Sequence, residues 1–306
     1  MVLRADLSVN IGSLSLDNPT ILAAGILGLS ASSLKRVAEA GAAAVSTKSI
    51  GLEPRTGYSN PTIAEIDCGL LNAMGLPNPG VDEFVKEIRI LKKEGVKTIA
   101  SIYGGSVNEF VKVVRKIEDA GANAIELNLS CPHVETVGMQ MGQDPKLVKE
   151  IVKAVKSEVH LPVFTKLTPN VSNIVEIAEA AAKAGSDAIT AINTVRAMAI
   201  DVETGYPVLA NAIGGLSGPA IKPIAVRCVY EISRSVKIPV IGCGGIMTWE
   251  DAVEFILAGA TAVEIGTAVA YRGLHVFKDI TSGIEMYLER KGFRSVREIV
   301  GLSHRY

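Results

Sequence analysis

One local pattern recurs along the chain and constrains its fold more than any other feature. It reads AEAGAAAVSTKS at 38–49, EDAGANAIELNLS at 118–130, AKAGSDAITAINT at 182–194 and LAGATAVEIGTA at 257–268. Each copy is a helix end, an Ala-Gly stop and a short apolar run. Glycine closes a helix because it enters the left-handed conformation at no steric cost. The small alanine before it lets the helix lie close to the next segment. A near-continuous apolar run fits a strand buried on both faces, as in a parallel sheet.

Filling the intervals gives eight strand candidates: 20–24, 43–47, 98–102, 124–129, 161–167, 187–192, 238–242 and 261–266. Between them lie amphipathic helix patterns, among them VDEFVKEIRILKKEG (81–95), VNEFVKVVRKIEDAG (107–121), DPKLVKEIVKAVKSEV (144–159) and NIVEIAEAAAKAG (173–185). Asp144 before Pro145 reads as an N-cap with proline at the first helical position. Alternating β and α units predict a (β/α)8 barrel of the α/β class, a single domain over 1–306, with a doubly wound open sheet as the alternative. LSVNIGSLSL near the start reads as a hairpin closing the barrel floor. With 306 residues, 48% of them hydrophobic, the chain can bury a large core.

The charge balance narrows the partners. Thirty-two acidic and 31 basic residues leave a net charge of −1, without the basic excess of a nucleic-acid binder. No run reaches the ~18 apolar residues that read as a membrane span. The first residues lack the apolar core of a secretory signal, and the four cysteines are scattered, so the expected compartment is the cytoplasm. Cys68, Cys131, Cys228 and Cys243 show no CxxC or cluster spacing, so neither zinc nor an iron–sulfur centre is expected on this chain.

A barrel of this kind carries its chemistry at the C-terminal ends of its strands. Those ends read AAGILG (23–28), STKS with Lys48, SIYGG (101–105), NLSCPH, TKLTPN (165–170), INT (192–194), GCGG (242–245) and GTA (266–268), with a long connection containing NAMGLPNPG (72–80). Glycines gather after the seventh and eighth strands, where barrels often bind phosphate through backbone N–H groups; the plain alternative is tight turns. Lys48 and Lys166 at strand ends would point into the barrel mouth, where burial requires an anionic partner, although either alone also fits a solvated rim. Asn72, Asn128 and Asn193 can both donate to and accept from an imide-bearing ring. Cys68, Cys228 and Cys243 read as small core residues. Cys131 follows a strand end and precedes Pro132; its thiolate could act as a base, and its spacing alone leaves that open.

Taken together, STKSI, NAMGLPNPG, ELNLSCPH, KLTPN, INT, GGLSGPAIKPIA (214–225) and GCGGI resemble the dihydroorotate dehydrogenase family, over nearly the whole chain from NPTILAAG (18–25) to GTAVAYRG (266–273). The resemblance implies an FMN-containing barrel that converts dihydroorotate to orotate in pyrimidine biosynthesis. It implies that Cys131 is the base at C5 while hydride leaves C6. Lys48 would hold the substrate carboxylate, and Asn72, Ala73, Met74, Gly75, Leu76, Asn128, Asn193 and Thr194 would complete the substrate pocket. FMN would lie against Ala24, Gly25, Lys48, Ser49, Ser101, Asn128, Lys166 and Ile192, with its phosphate at Gly218, Gly244, Gly245, Gly266 and Thr267.

The cysteine also separates subclasses, because membrane-bound, quinone-linked relatives use serine there. LANAIGGLSGPAIKP (209–223) resembles the NAD-linked subclass, in which a homodimer of this subunit pairs with an electron-transfer subunit carrying FAD and a [2Fe–2S] cluster, giving a heterotetramer. Fumarate-linked relatives also have cysteine. Two positions depart from the family pattern: His133 and Ser101 stand where many relatives have asparagine. CPH with GMQMGQDP (138–145) is also similar to the barrel domain of dihydropyrimidine dehydrogenase, a uracil and thymine reductase. A barrel that merely binds a phosphorylated ligand is the non-enzymatic alternative.

Overall fold

The computed structural model describes residues 4–129 and 141–305. Eight parallel strands close into a barrel: β3 (Thr20–Leu22), β4 (Ala44–Ser46), β7 (Thr98–Ile102), β8 (Ala124–Asn128), β9 (Val163–Leu167), β10 (Ala188–Ala191), β13 (Val240–Cys243) and β14 (Ala262–Ile265). The order around the barrel follows the chain, and β14 pairs with β3 to close it. An open sheet is thereby excluded. The observed strands fall within or beside the eight apolar runs, and β7 coincides with its run residue for residue.

The repeat works as its residues require. Gly41, Gly121, Gly185 and Gly259, which follow the helix ends, all have φ between +94° and +117°. Side chains other than glycine enter that region only under strain. Each stop turns the chain directly into the strand that follows.

The outer ring is made of helices with one apolar face. Helix α1 spans Ala31–Glu39, α2 Val81–Lys93, α3 Val107–Ala120, α4 Pro145–Lys156 and α5 Ile174–Lys183. Helix α6 spans Lys222–Ser235, α7 Trp249–Leu257, α8 Ala268–Arg272 and α9 Val276–Lys291. Helix α3 buries Phe110, Val113, Val114 and Ile117, which recur at three- and four-residue spacing. Burying each such side chain contributes roughly 1.5–3 kcal/mol. Sequence also fixes where these helices start. Ser106 accepts from the Glu109 amide, Asp144 from Lys146, and Thr248 forms a reciprocal capping box with Asp251.

The hairpin near the start is β1 (Val9–Ile11) with β2 (Leu14–Leu16). Its turn, at Gly12, packs against Pro162 and Asp187, which precede β9 and β10. It therefore covers the end of the barrel opposite the strand C-termini.

A second sheet is not evident from the strand count. The long connections after β4 and β10 supply β5 (Ile63–Ile66), β6 (Gly69–Asn72), β11 (Val195–Ala197) and β12 (Gly214–Ser217), antiparallel in the order β11-β12-β6-β5. Leu71, Ala73 and Leu209 form its own small core. Among the described residues, no helix is long and apolar enough to cross a membrane.

Candidate active site at the strand C-termini

A cavity of about 240 Å³ opens where the strands end and the second sheet folds over them. The chain reaches it from distant positions because every parallel strand of a barrel ends on the same face. The first turn contributes Ala24 and Gly25, and β4 leads into Lys48 and Ser49. Asn72, Met74, Gly75 and Leu76 come from β6 and the segment after it. Asn128 ends β8, Lys166 lies on β9, and Ile192, Asn193 and Thr194 follow β10. Gly218 follows β12, Gly244 and Gly245 follow β13, and Gly266 and Thr267 follow β14.

Two residues expected in this lining stand behind it. Ala73 is 1% exposed and packs with Leu71 and Leu209 in the core of the second sheet. The period-two alternation of extended chain explains this: Asn72 and Met74 face the cavity, so Ala73 faces away. Ser101 is fully buried in β7. Its hydroxyl lies 3.0 Å from Ser49 Oγ, so it acts on the cavity through Ser49. Cys131 and His133 lie outside the described residues.

A relay of short polar side chains fixes one wall. Asn128 Nδ2 donates to Ser49 Oγ at 2.9 Å, and Asn193 Nδ2 reaches Asn128 Oδ1 at 3.4 Å. Asn193 Oδ1 accepts from the Thr194 amide at 2.8 Å. Asn72 Nδ2 donates to the Gly215 carbonyl at 3.2 Å, a bond between the neighbouring strands β6 and β12 that fixes this amide within the second sheet. Lys48 is half-buried, and its amide donates to the Gly28 carbonyl at 3.0 Å.

The electrostatics centre on Lys166, 5% exposed. Its Nζ lies 2.5 Å from Glu264 Oε2 and 3.6 Å from Glu126 Oε1. Burial works against its charge, but the two carboxyl groups outweigh that and hold its pKa above the ordinary lysine value. Burial also pushes the Cys243 thiol up to about 12, with Lys166 opposing. Cys243 is therefore a neutral thiol at ordinary pH.

The glycine turns form a bare backbone cradle. Gly245 has φ +77°, and a Cβ there would come within 2.8 Å of the Gly218 carbonyl oxygen. Only glycine fits that approach, and exposed main chain of this kind is what anion sites built from backbone use. Thr267 Oγ1 donates to Ser217 Oγ at 2.8 Å beside them. Ile26, Leu70, Ile192, Ile221 and Ile246 supply apolar surface. An apolar slot, two lysines, an amide wall and a backbone cradle suit a flat heteroaromatic ring with an anionic tail.

Sequence reasoning missed several lining residues, including Ser217, Cys243 and Glu264. Glu264 and Glu126 carried a readable signal: a carboxyl group inside a strand buried on both faces is costly unless paired. Cys243 and Ser217 carried none, because either could have faced the core. Cys228 is buried as expected, whereas Cys68 is exposed.

Comparison with known proteins gives one answer. The dihydroorotate dehydrogenase family model matches residues 6–288. A Methanosarcina acetivorans protein named dihydroorotate dehydrogenase B (NAD(+)), catalytic subunit, is 54% identical over 297 residues, covering 96% of this chain and 95% of that protein. A Pyrococcus abyssi protein of the same name is 53% identical, covering 97% of this chain and 99% of the relative. A crystal structure of DHODH from Eimeria tenella in complex with ferulenol superposes with a TM-score of 0.86 at 24% identity, covering 98% of this chain and 89% of that one, a likeness of fold.

Proposed function

The chain belongs to the dihydroorotate dehydrogenase family, and from that membership we propose that it oxidises dihydroorotate to orotate in pyrimidine biosynthesis as the FMN-binding catalytic subunit of an NAD-linked enzyme. The observation that supports this most is the convergence of Lys48, Lys166, Asn72, Asn128 and Asn193 on one cavity beside a glycine cradle. A non-catalytic phosphate-binding barrel would need the cradle alone.

The chain's own residues divide the work. Lys48 is only half-buried at the mouth and suits a carboxylate that arrives from water. Asn72, Asn128 and Asn193 offer amides that accept from ring N–H groups and donate to ring carbonyls. The hydrogen bonds among Asn128, Asn193, Ser49 and Ser101 hold those amides in place before the substrate binds, which lowers the ordering cost of the reactive complex. Met74, Gly75, Leu76 and Thr194 close the pocket.

Ala24, Gly25, Lys48, Ser49, Asn128, Lys166 and Ile192 would hold the FMN ring, and Gly218, Gly244, Gly245, Gly266 and Thr267 its phosphate. When bound, FMN supplies the acceptor for the hydride that leaves C6. The Cys131 thiolate takes the C5 proton. The C5–H and C6–H bonds break, a C5=C6 double bond forms, and the substrate loses two electrons and two protons. Lys166 stabilises negative charge that builds on its side of the cavity.

The relatives' name, catalytic subunit, supports a partner. That partner would be an iron–sulfur flavoprotein with FAD and a [2Fe–2S] cluster, passing electrons to NAD from a homodimeric core within a heterotetramer. The whole chain would act as one domain in the cytoplasm.

Anaerobic stopped-flow spectroscopy of the FMN-loaded chain tests the reading. Dihydroorotate should bleach the flavin band rapidly, and dihydrouracil should not. A flavin that dihydrouracil bleaches and dihydroorotate leaves untouched would replace this function with the uracil-reducing one.

A further inference from the structure

Three ionisable side chains meet inside the barrel, nearly shut off from solvent. Lys166 is 5% exposed, Glu264 1% and Glu126 0%. Lys166 Nζ is 2.5 Å from Glu264 and 3.6 Å from Glu126, and Ser46 Oγ is 3.5 Å from Glu264 Oε1. Among the described residues, the Glu126 oxygens and Thr190 Oγ1 make no well-formed hydrogen bond, although the Glu264 carboxyl and the Thr190 hydroxyl both lie beside the Glu126 carboxyl. Strands β4, β8, β9, β10 and β14 supply these groups, and β13 adds the Cys243 thiol.

Two carboxylates and one ammonium would leave an uncompensated negative charge in a dry interior. A buried carboxyl group avoids that cost by keeping a proton. Glu264 has the ammonium within hydrogen-bond distance, whereas Glu126 has it only at 3.6 Å. The proton therefore belongs on Glu126. Glu264 and Lys166 line the cavity, but Glu126 does not. The charge felt at the cavity floor is thus set by a residue that never touches a ligand.

We propose that Glu126 is a positioning residue kept as a neutral acid, which leaves Lys166 and Glu264 a balanced pair and so sets how readily the cavity accepts an electron pair. This rests on the flavin reading of the site. Losing the Glu126 proton would add one negative charge behind the cavity wall formed by Lys166 and Glu264, and would disfavour reduction of a flavin held in that cavity. Burial, reinforced by Glu264 and opposed by Lys166, raises Glu126 to about 8, within reach of ordinary buffers. Lys166 remains charged and Cys243 neutral across that change.

Two measurements on the full chain test the proposal. Infrared spectra with 13C-labelled glutamate, taken without FMN, should show a buried carboxylic-acid carbonyl band below pH 8 that fades above it and is missing in Glu126→Gln. The midpoint potential of FMN-loaded wild type should track that of Glu126→Gln below this pH and fall beneath it above. The reduced-to-oxidised ratio at fixed poise should drop by roughly ten- to a hundredfold, as one unit charge about 6–12 Å away produces at an effective dielectric near 20. Glu264→Gln provides a second arm. Among the described residues Glu126 is then the one carboxylate left facing Lys166, so it ionises, and the band disappears at neutral pH. An unchanged band in Glu126→Gln, a band that persists in Glu264→Gln, or coincident potential profiles would overturn the proposal. A chain that binds FMN but ignores dihydroorotate would refute the functional reading and leave the infrared result standing.

Discussion

Asn78, set between two prolines, joins three segments that border the site. It is 6% exposed, and its side chain is fully used. Oδ1 accepts from the Gly51 amide at 3.2 Å and the Gly80 amide at 2.9 Å. Nδ2 donates to the Leu76 carbonyl and to Tyr103 Oη, both at 2.9 Å. Its own backbone exchanges hydrogen bonds with Arg55 at 2.8 and 3.0 Å. One side chain therefore joins the segment after Lys48, the Met74–Leu76 wall and the segment after β7. It also anchors Leu76, a non-glycine residue at φ +57°, where the backbone is strained. Asn78→Ala removes four hydrogen bonds and strands two buried amides. At about 1 kcal/mol net for each bond, and more for each stranded donor, the loss should be at least about 4 kcal/mol. Asn78→Asp keeps Oδ1 as an acceptor but sets a carboxylate oxygen against the buried Leu76 carbonyl, so it should cost at least as much as the alanine change. Urea denaturation gives the stability change, and steady-state kinetics should show the dihydroorotate KM raised roughly tenfold as the wall loosens, since small displacements of positioned groups are costly. A loss under about 1 kcal/mol with an unchanged KM would refute the argument, because buried partners left without a bond cannot be that cheap.

Four further outcomes follow from the same structure. Cys131→Ala should retain FMN but slow the bleaching by dihydroorotate by about two orders of magnitude or more at neutral pH; a near-normal rate would remove the thiol from the base role. Lys48→Ala should weaken dihydroorotate binding far more than binding of a carboxylate-free pyrimidine, and equal losses would contradict its assignment. Glu126 has a folded pKa near 8 against a reference of 4.5, so its stabilising contribution is complete below 4.5 and is lost as pH rises through 8. Chemical denaturation should therefore show wild type losing stability relative to Glu126→Gln across that window, by a few kcal/mol at most, and parallel pH profiles would contradict the shift. Gly283→Ala would set a methyl 2.1 Å from Trp249 Cγ between α9 and α7. It should cost about 1–3 kcal/mol by overpacking with kcat unchanged; a neutral melting temperature would show that the indole moves freely.

The barrel was legible because its signals are local. The Ala-Gly stops, the apolar runs and the helix caps each lie within a few residues, and each has a single low-energy reading. Most of the cavity lining was legible for the same reason: strand ends can be located, and strand ends converge. The second sheet was not legible. Its strands are three or four residues long, β5 alternates between exposed and half-buried positions, and β6 pairs with β12 across about 145 residues of chain. Nothing local reports such a pairing.

The sequence by itself determined the alternation of strands and helices, the glycine positions that only glycine can occupy, and the lysines and asparagines at strand ends. Tertiary structure decided which face each of those residues presents. It turned Ala73 into the core of the second sheet while Asn72 and Met74 took the cavity. It placed Ser101 behind Ser49, and it brought Glu126, Lys166 and Glu264 from three strands to one dry point. The physical reason is that propensity and periodicity act over one or two turns of chain, whereas burial and electrostatic coupling depend on neighbours that only barrel closure supplies.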